Sequence, residues 1–143
     1  MHERQLATHK LLPPAVIEAA LSSVRTLRGD VGREMRNMHQ RHAQSLMDLL
    51  KDRGFPVQPS KSHIVPVVVG DAVKCKEAAD LLLKEHNIYV QPINYPTLPR
   101  GTERLRFTPG PLHTPDMQAQ LVNALEDVWH KVGIKAPIMP VQA

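Results

Sequence analysis

The chain has little cysteine and few aromatics. Cys75 is its only cysteine among 143 residues, and phenylalanine, tryptophan and tyrosine together make up 3%. A lone thiol excludes an internal disulfide framework and fits a reducing compartment. So few aromatic rings cannot build the stacking platforms that hold single-stranded nucleic acid. The formal net charge is +4, yet lysines and arginines are interspersed with acids and form no basic block, so a nucleic-acid partner is not expected. No apolar run approaches the ~20 residues that span a bilayer, so no membrane partner is expected either. The opening "MHERQLATHK" has no apolar stretch of the secretory-signal kind. It reads as the start of a soluble intracellular chain. The seven glycines are dispersed, with no glycine-rich phosphate loop, no GxSxG elbow and no HExxH pair.

What is present suffices for one domain: 42% hydrophobic and 22% charged residues. "PPAVIEAALSSVRTLRG" predicts a helix, with Pro14 at its first position and Val16, Ile17, Ala20, Leu21, Val24 and Leu27 at helical spacing. A second helix is predicted from Val31 to Arg53, and two consecutive helices with a short joint suggest an arm or hairpin against a partner surface. "HIVPVVVG" (His63–Gly70) is a β-branched run and predicts a strand, with Pro66 arguing for an edge or a bulge. Asp71 stands where a helix N-cap belongs, and the helix after it runs to Asn87. Ile88–Ile93 and Arg104–Thr108 predict two further strands. Thr114-Pro115 is a cap and first-turn pair ahead of a last amphipathic helix closed by Gly133. The order α-α-β-α-β-β-α predicts an α+β domain, about three strands backed by helices.

Few side chains are arranged for chemistry. His39 and His42 share a helix face, but the further ligands that a metal site needs are not supplied around them, so no metal is expected. His63 and His113 read as structural or loop-polar. Cys75 lies among lysines, which could lower a thiol pKa, but no Cys/His dyad assembles around it in sequence. It reads as a buried or half-buried spectator, and no catalytic residue is assigned. The informative stretch is "NIYVQPINYPTLPRGTERLRFTP", Asn87–Pro109. Alternation puts Leu105 and Phe107 on one strand face and Arg104, Arg106 and Thr108 on the other. Pro96 and Pro99 stiffen the loop around Thr97, and Gly101 relieves its turn. A preorganised hydroxyl followed by a guanidinium fork suits a small carboxylate. A solvated basic strand face is the alternative.

"LPPAVIEAALSSVR", "SHIVPVVVGDA", "YVQPINYPTLPRGTERLRFTP" and "PLHTPDM" resemble the C-terminal part of the 5-aminolevulinate synthases, members of the α-oxoamine synthase family of pyridoxal-phosphate enzymes. The resemblance covers residues 12–133, leaving 1–11 as a non-family segment and 134–143 as a tail. It implies the small C-terminal domain of a fold-type I pyridoxal-phosphate enzyme. It also implies the condensation of glycine with succinyl-CoA to 5-aminolevulinate, CoA and carbon dioxide, the entry to tetrapyrrole and heme synthesis. Arg106 then matches the arginine that binds the glycine carboxylate, Thr97 the threonine that contacts the succinyl carboxylate, and Arg104 a structural arginine. The family is homodimeric. The wording resembles bacterial members more than animal ones, implying a cytoplasmic enzyme, or a mitochondrial matrix enzyme in a eukaryote. No residue here matches the family's Schiff-base lysine, so these 143 residues are expected to bind no cofactor and to be inactive alone. A non-catalytic module that pairs with itself or with a full-length synthase is the alternative. Where the family carries Phe-Thr-Thr before Leu12, this sequence has Thr8, His9 and Lys10.

Overall fold

The computed structural model describes residues 13–135, so residues 1–12, including Thr8, His9 and Lys10, and most of the tail lie outside the described residues. The chain divides into two compact units, one ending at Asn37 and one beginning at Met38.

The first unit contains helix α1 (Pro14–Arg28) and the start of α2 (Asp30–Asp52). Pro13 caps α1 with its carbonyl, which accepts from the Val16 and Ile17 amides. Pro14 occupies the first turn, where a missing N–H costs nothing. Gly29 is the one-residue joint, and its carbonyl accepts from the Arg33 amide. Gly32 has to be glycine, because a Cβ there would sit 2.3 Å from the Leu27 carbonyl oxygen. Despite its apolar stripe, α1 buries none of its residues.

The second unit holds the rest of α2, then β1 (Val65–Val68), α3 (Ala72–His86), β2 (Gln91–Ile93), β3 (Arg104–Phe107) and α4 (Pro115–Val132). The three strands form one antiparallel sheet in the order β1-β3-β2. The α+β reading and the element order of the sequence therefore hold. Pro66 lies on an edge strand. Its carbonyl accepts from the Gln58 amide, which puts the missing N–H on the side away from β3. The second strand starts later than its β-rich sequence predicts, at Gln91 rather than Ile88. The reason lies in the end of α3: Asn87 takes the left-handed conformation (φ 56°), and the Asn87 and Ile88 amides close the helix on the carbonyls of Leu83 and Leu82. An amide used in a helix cap is not free for a sheet ladder. Both predicted N-caps form. The Asp71 carboxylate accepts from the Val73 and Lys74 amides at 2.9 Å, and the Thr114 hydroxyl accepts from the Met117 amide.

The core collects Leu46 and Leu50 of α2, Val65 and Val67 of β1, Leu82 of α3, Leu105 of β3, and Leu125 and Val128 of α4, all fully buried. Phe55 meets Trp129 edge-on at 5.2 Å between ring centres. One face of β3 is thereby pinned to the core, and the other is left to present its arginines.

Candidate functional site

Two residues apart on β3, Arg104 and Arg106 have different surroundings. The Arg104 guanidinium is half-buried: its Nη1 donates to Oε1 of Gln58 and its Nε to the Thr102 carbonyl at 3.1 Å. Arg106 is exposed, and its guanidinium has no hydrogen-bond or ion-pair partner among the described residues. It lines a cavity of about 900 Å³ bounded by the segment before β2, the end of β3 and one face of α4. A guanidinium with no partner retains its fork of donors for a planar anion.

The loop between β2 and β3 is built from local hydrogen bonds. The Asn94 carbonyl accepts from the amides of Thr97 and Leu98, and the Asn94 side-chain amide donates to the Ala72 carbonyl at the start of α3. The Tyr95–Pro96 peptide is cis. The Arg100 guanidinium lies 5.3 Å from the centre of the Tyr95 ring, a cation–π pairing across the turn. Gly101 has φ +85°, a conformation that side chains disfavour, and its amide donates to the carboxylate of Glu103 at 2.8 Å. Glu103 is 3% exposed, and its carbonyl accepts from the Val69 and Gly70 amides. It therefore ties the loop to the end of β1, a role that nothing in the sequence pattern signalled. Thr97 is exposed on this loop and is not among the residues lining the Arg106 cavity.

The remaining candidates separate cleanly. Cys75 is fully buried, and desolvation pushes its thiol up to about 11. The charges of Glu103 and Asp71 add to this, and a hydrogen bond from the Ile93 backbone opposes it. Such a thiol is a poor nucleophile at neutral pH. His42 pairs through Nδ1 with the Gly110 carbonyl at 3.1 Å, and the His39 ring leans on His63, with centres 4.6 Å apart. His39 and His42 thus serve separate contacts. His113 lines the cavity and accepts the Gly110 amide through Nδ1. Glu85, His86 and Asp127 converge between α3 and α4 with ligand atoms within 4.8 Å of one another. Lys131 already takes both carboxylates, at 2.6 and 2.8 Å. Lys131 and His86 hold the Asp127 carboxyl below its ordinary range, and the two carboxylates raise Lys131.

The sequence model of class I and II aminotransferases matches residues 2–125. The chain belongs to this family. It is 50% identical over 123 residues to the erythroid-specific mitochondrial 5-aminolevulinate synthase of Danio rerio, a match that takes in 86% of this chain and 21% of that protein. It is 48% identical over 132 residues to the human erythroid-specific enzyme, taking in 92% and 22%. Among solved structures it is similar to a serine palmitoyltransferase variant from S. paucimobilis with a pyridoxal-phosphate–myriocin aldimine, at TM-score 0.73 and 28% identity, over 87% of this chain and 31% of that one. The chain spans about a fifth of the length of the curated relatives. Its fold is part of a fold-type I pyridoxal-phosphate enzyme, as the resemblance implied. The family's enzymes use pyridoxal phosphate. The residues that line the Arg106 cavity offer no covalent anchor for it. No lysine lines the Arg106 cavity; Lys74 is spent on the Gly133 carbonyl and Lys76 on Asp80.

Proposed function

We propose that this chain forms the substrate-carboxylate part of a 5-aminolevulinate synthase, with Arg106 gripping the carboxylate of glycine and Thr97 the distal carboxylate of succinyl-CoA. The observation that carries the reading is the contrast on β3: Arg104 is tied to Gln58 and Thr102, while Arg106 lines a cavity and has no partner among the described residues. A fork held on a strand orients a bound carboxylate before any chemistry, because its two parallel hydrogen bonds fix both distance and plane. When bound, pyridoxal phosphate supplies the electron sink for such condensations; its anchor is assigned to residues other than these. The family's homodimeric habit is carried over on the same footing. The mitochondrial names of the relatives favour a matrix location over the bacterial cytoplasm.

Two experiments test this. Residues 13–135 grafted in place of the matching segment of the Danio rerio enzyme should support aminolevulinate synthesis. Arg106→Ala in that graft should raise the glycine KM at least tenfold, and Thr97→Val should raise the succinyl-CoA KM alone. A glycine KM indifferent to Arg106→Ala would end the assignment. The 143-residue chain by itself, given cofactor and both substrates, should form no aminolevulinate above background.

A second reading is a non-catalytic module. It is favoured by the apolar stripe of α1, where Val16, Ile17, Leu21, Val24 and Leu27 are all exposed, since contiguous exposed apolar side chains mark a partner surface. Light scattering that finds a clean monomer, unchanged on mixing with a full-length synthase, would count against it.

A further inference from the structure

The cavity beside Arg106 is larger than a two-carbon acid requires. Its volume of about 900 Å³ lies at the upper end of the ~300–1,000 Å³ range of sites that enclose drug-sized ligands. Its charge is one-sided, since no aspartate or glutamate is among the lining residues. Arg106 is the only lysine or arginine there. Away from Arg106 the lining mixes polar side chains, among them Asn87, Gln91, Gln118 and Asn123, with apolar ones: Ile88 and Val90 before β2, Phe107 on β3, and Met117 and Leu121 on α4. One guanidinium suits one carboxylate, and no second lysine or arginine in the lining offers a full positive charge to another.

We propose that this cavity binds a monocarboxylate with an extended apolar tail, its carboxylate on Arg106 and its tail along the wall formed by Ile88, Met117 and Leu121. The proposal rests on the reading of Arg106 as a carboxylate-binding residue and adds a ligand class to it. Charge complementarity sets the orientation. A buried carboxylate would lose its hydration without a partner, so the head stays at the exposed guanidinium and the tail takes the apolar wall.

The test is a titration of the 143-residue chain with acetate, butyrate, hexanoate and octanoate, followed by calorimetry. Affinity should climb about fourfold per added methylene, the fold-change that corresponds to ~0.8 kcal/mol per buried CH2. Arg106→Gln should weaken octanoate at least tenfold, as expected for a lost charge-assisted hydrogen bond. Met117 is half exposed, so Met117→Ser should leave the fold intact, weaken octanoate severalfold and leave acetate unchanged. Octylammonium, with the same tail and the opposite charge, should bind no better than acetate.

A flat response to chain length, or no binding of octanoate, overturns the proposal. So does a length dependence that octylammonium reproduces or that survives Arg106→Gln, because the tail would then be adsorbing without the head. The underlying assignment of Arg106 fails separately, through a glycine KM in the grafted enzyme that ignores Arg106→Ala. A flat series beside a raised glycine KM would remove the tail site and keep the carboxylate site.

Discussion

Helices α1 and α3 are both 15 residues long, and both carry apolar side chains at helical spacing. Their fates differ. α3 buries Cys75, Ala78, Ala79 and Leu82, while α1 leaves Ile17 49% and Val24 60% exposed. An amphipathic stripe says which face a helix can bury, and only an opposing surface decides whether it does. The stabilisation follows the area removed from water, about 25 cal/mol per Å², so the same leucine is worth very different amounts in the two helices. α3 also ends in side-chain and backbone caps, whereas Pro13 gives α1 no side-chain cap.

The sharpest way to break this comparison is a matched pair of truncations. Leu82→Ala should cost about 2–5 kcal/mol in chemical denaturation, and Val24→Ala should stay within about 0.5 kcal/mol. Equal losses would mean that α1 is covered after all. Asp71→Ala should cost about 1 kcal/mol by removing the α3 cap. Cys75 sharpens the comparison by pH. Burial holds its thiol protonated well above the ordinary 9.0, up to about 11. The neutral thiol therefore favours the folded state fully below 9.0, and that preference is lost as pH rises through about 11. Unfolding free energy should fall more steeply over that window in the parent chain than in Cys75→Ala, and the thiol should resist modification until the chain unfolds. The smallest effect belongs to the exposed clasp between α3 and α4. The Asp127 carboxyl is held low by Lys131 and His86, so its contribution is present above the unfolded pKa and is lost as pH falls through the folded one. Asp127→Asn should give a small loss of thermal stability at neutral pH that vanishes in acid and shrinks with added salt.

Much of the fold could be read along the chain. Asp71, Thr114 and Gly133 mark element ends through hydrogen bonds that reach only a few residues, Pro14 marks one by the N–H it lacks, and the alternation of Leu105 and Phe107 with the β3 arginines is a property of any strand. The start of β2 differs from the sequence reading because the strand-forming run Ile88–Val90, β-branched and aromatic, outweighs a cap that depends on Asn87 adopting a left-handed conformation. For the site, alternation set Arg104 and Arg106 on one face without separating them.

What separates them is Gln58, 46 residues before Arg104 in the chain, and no local pattern encodes that pairing. The cavity is likewise assembled from the end of α3, β3 and α4, and the tie from Glu103 to β1 joins two strands that are distant in sequence. The sequence by itself determined the order of the elements and the capped ends of α3 and α4, which face of β3 could be polar, and which family the chain resembles, because those signals are short-range or motif-bound. Only the tertiary structure showed that Arg104 is tied to Gln58 and Thr102 while Arg106 has no partner among the described residues, because a guanidinium's partners are set by what packs across from it.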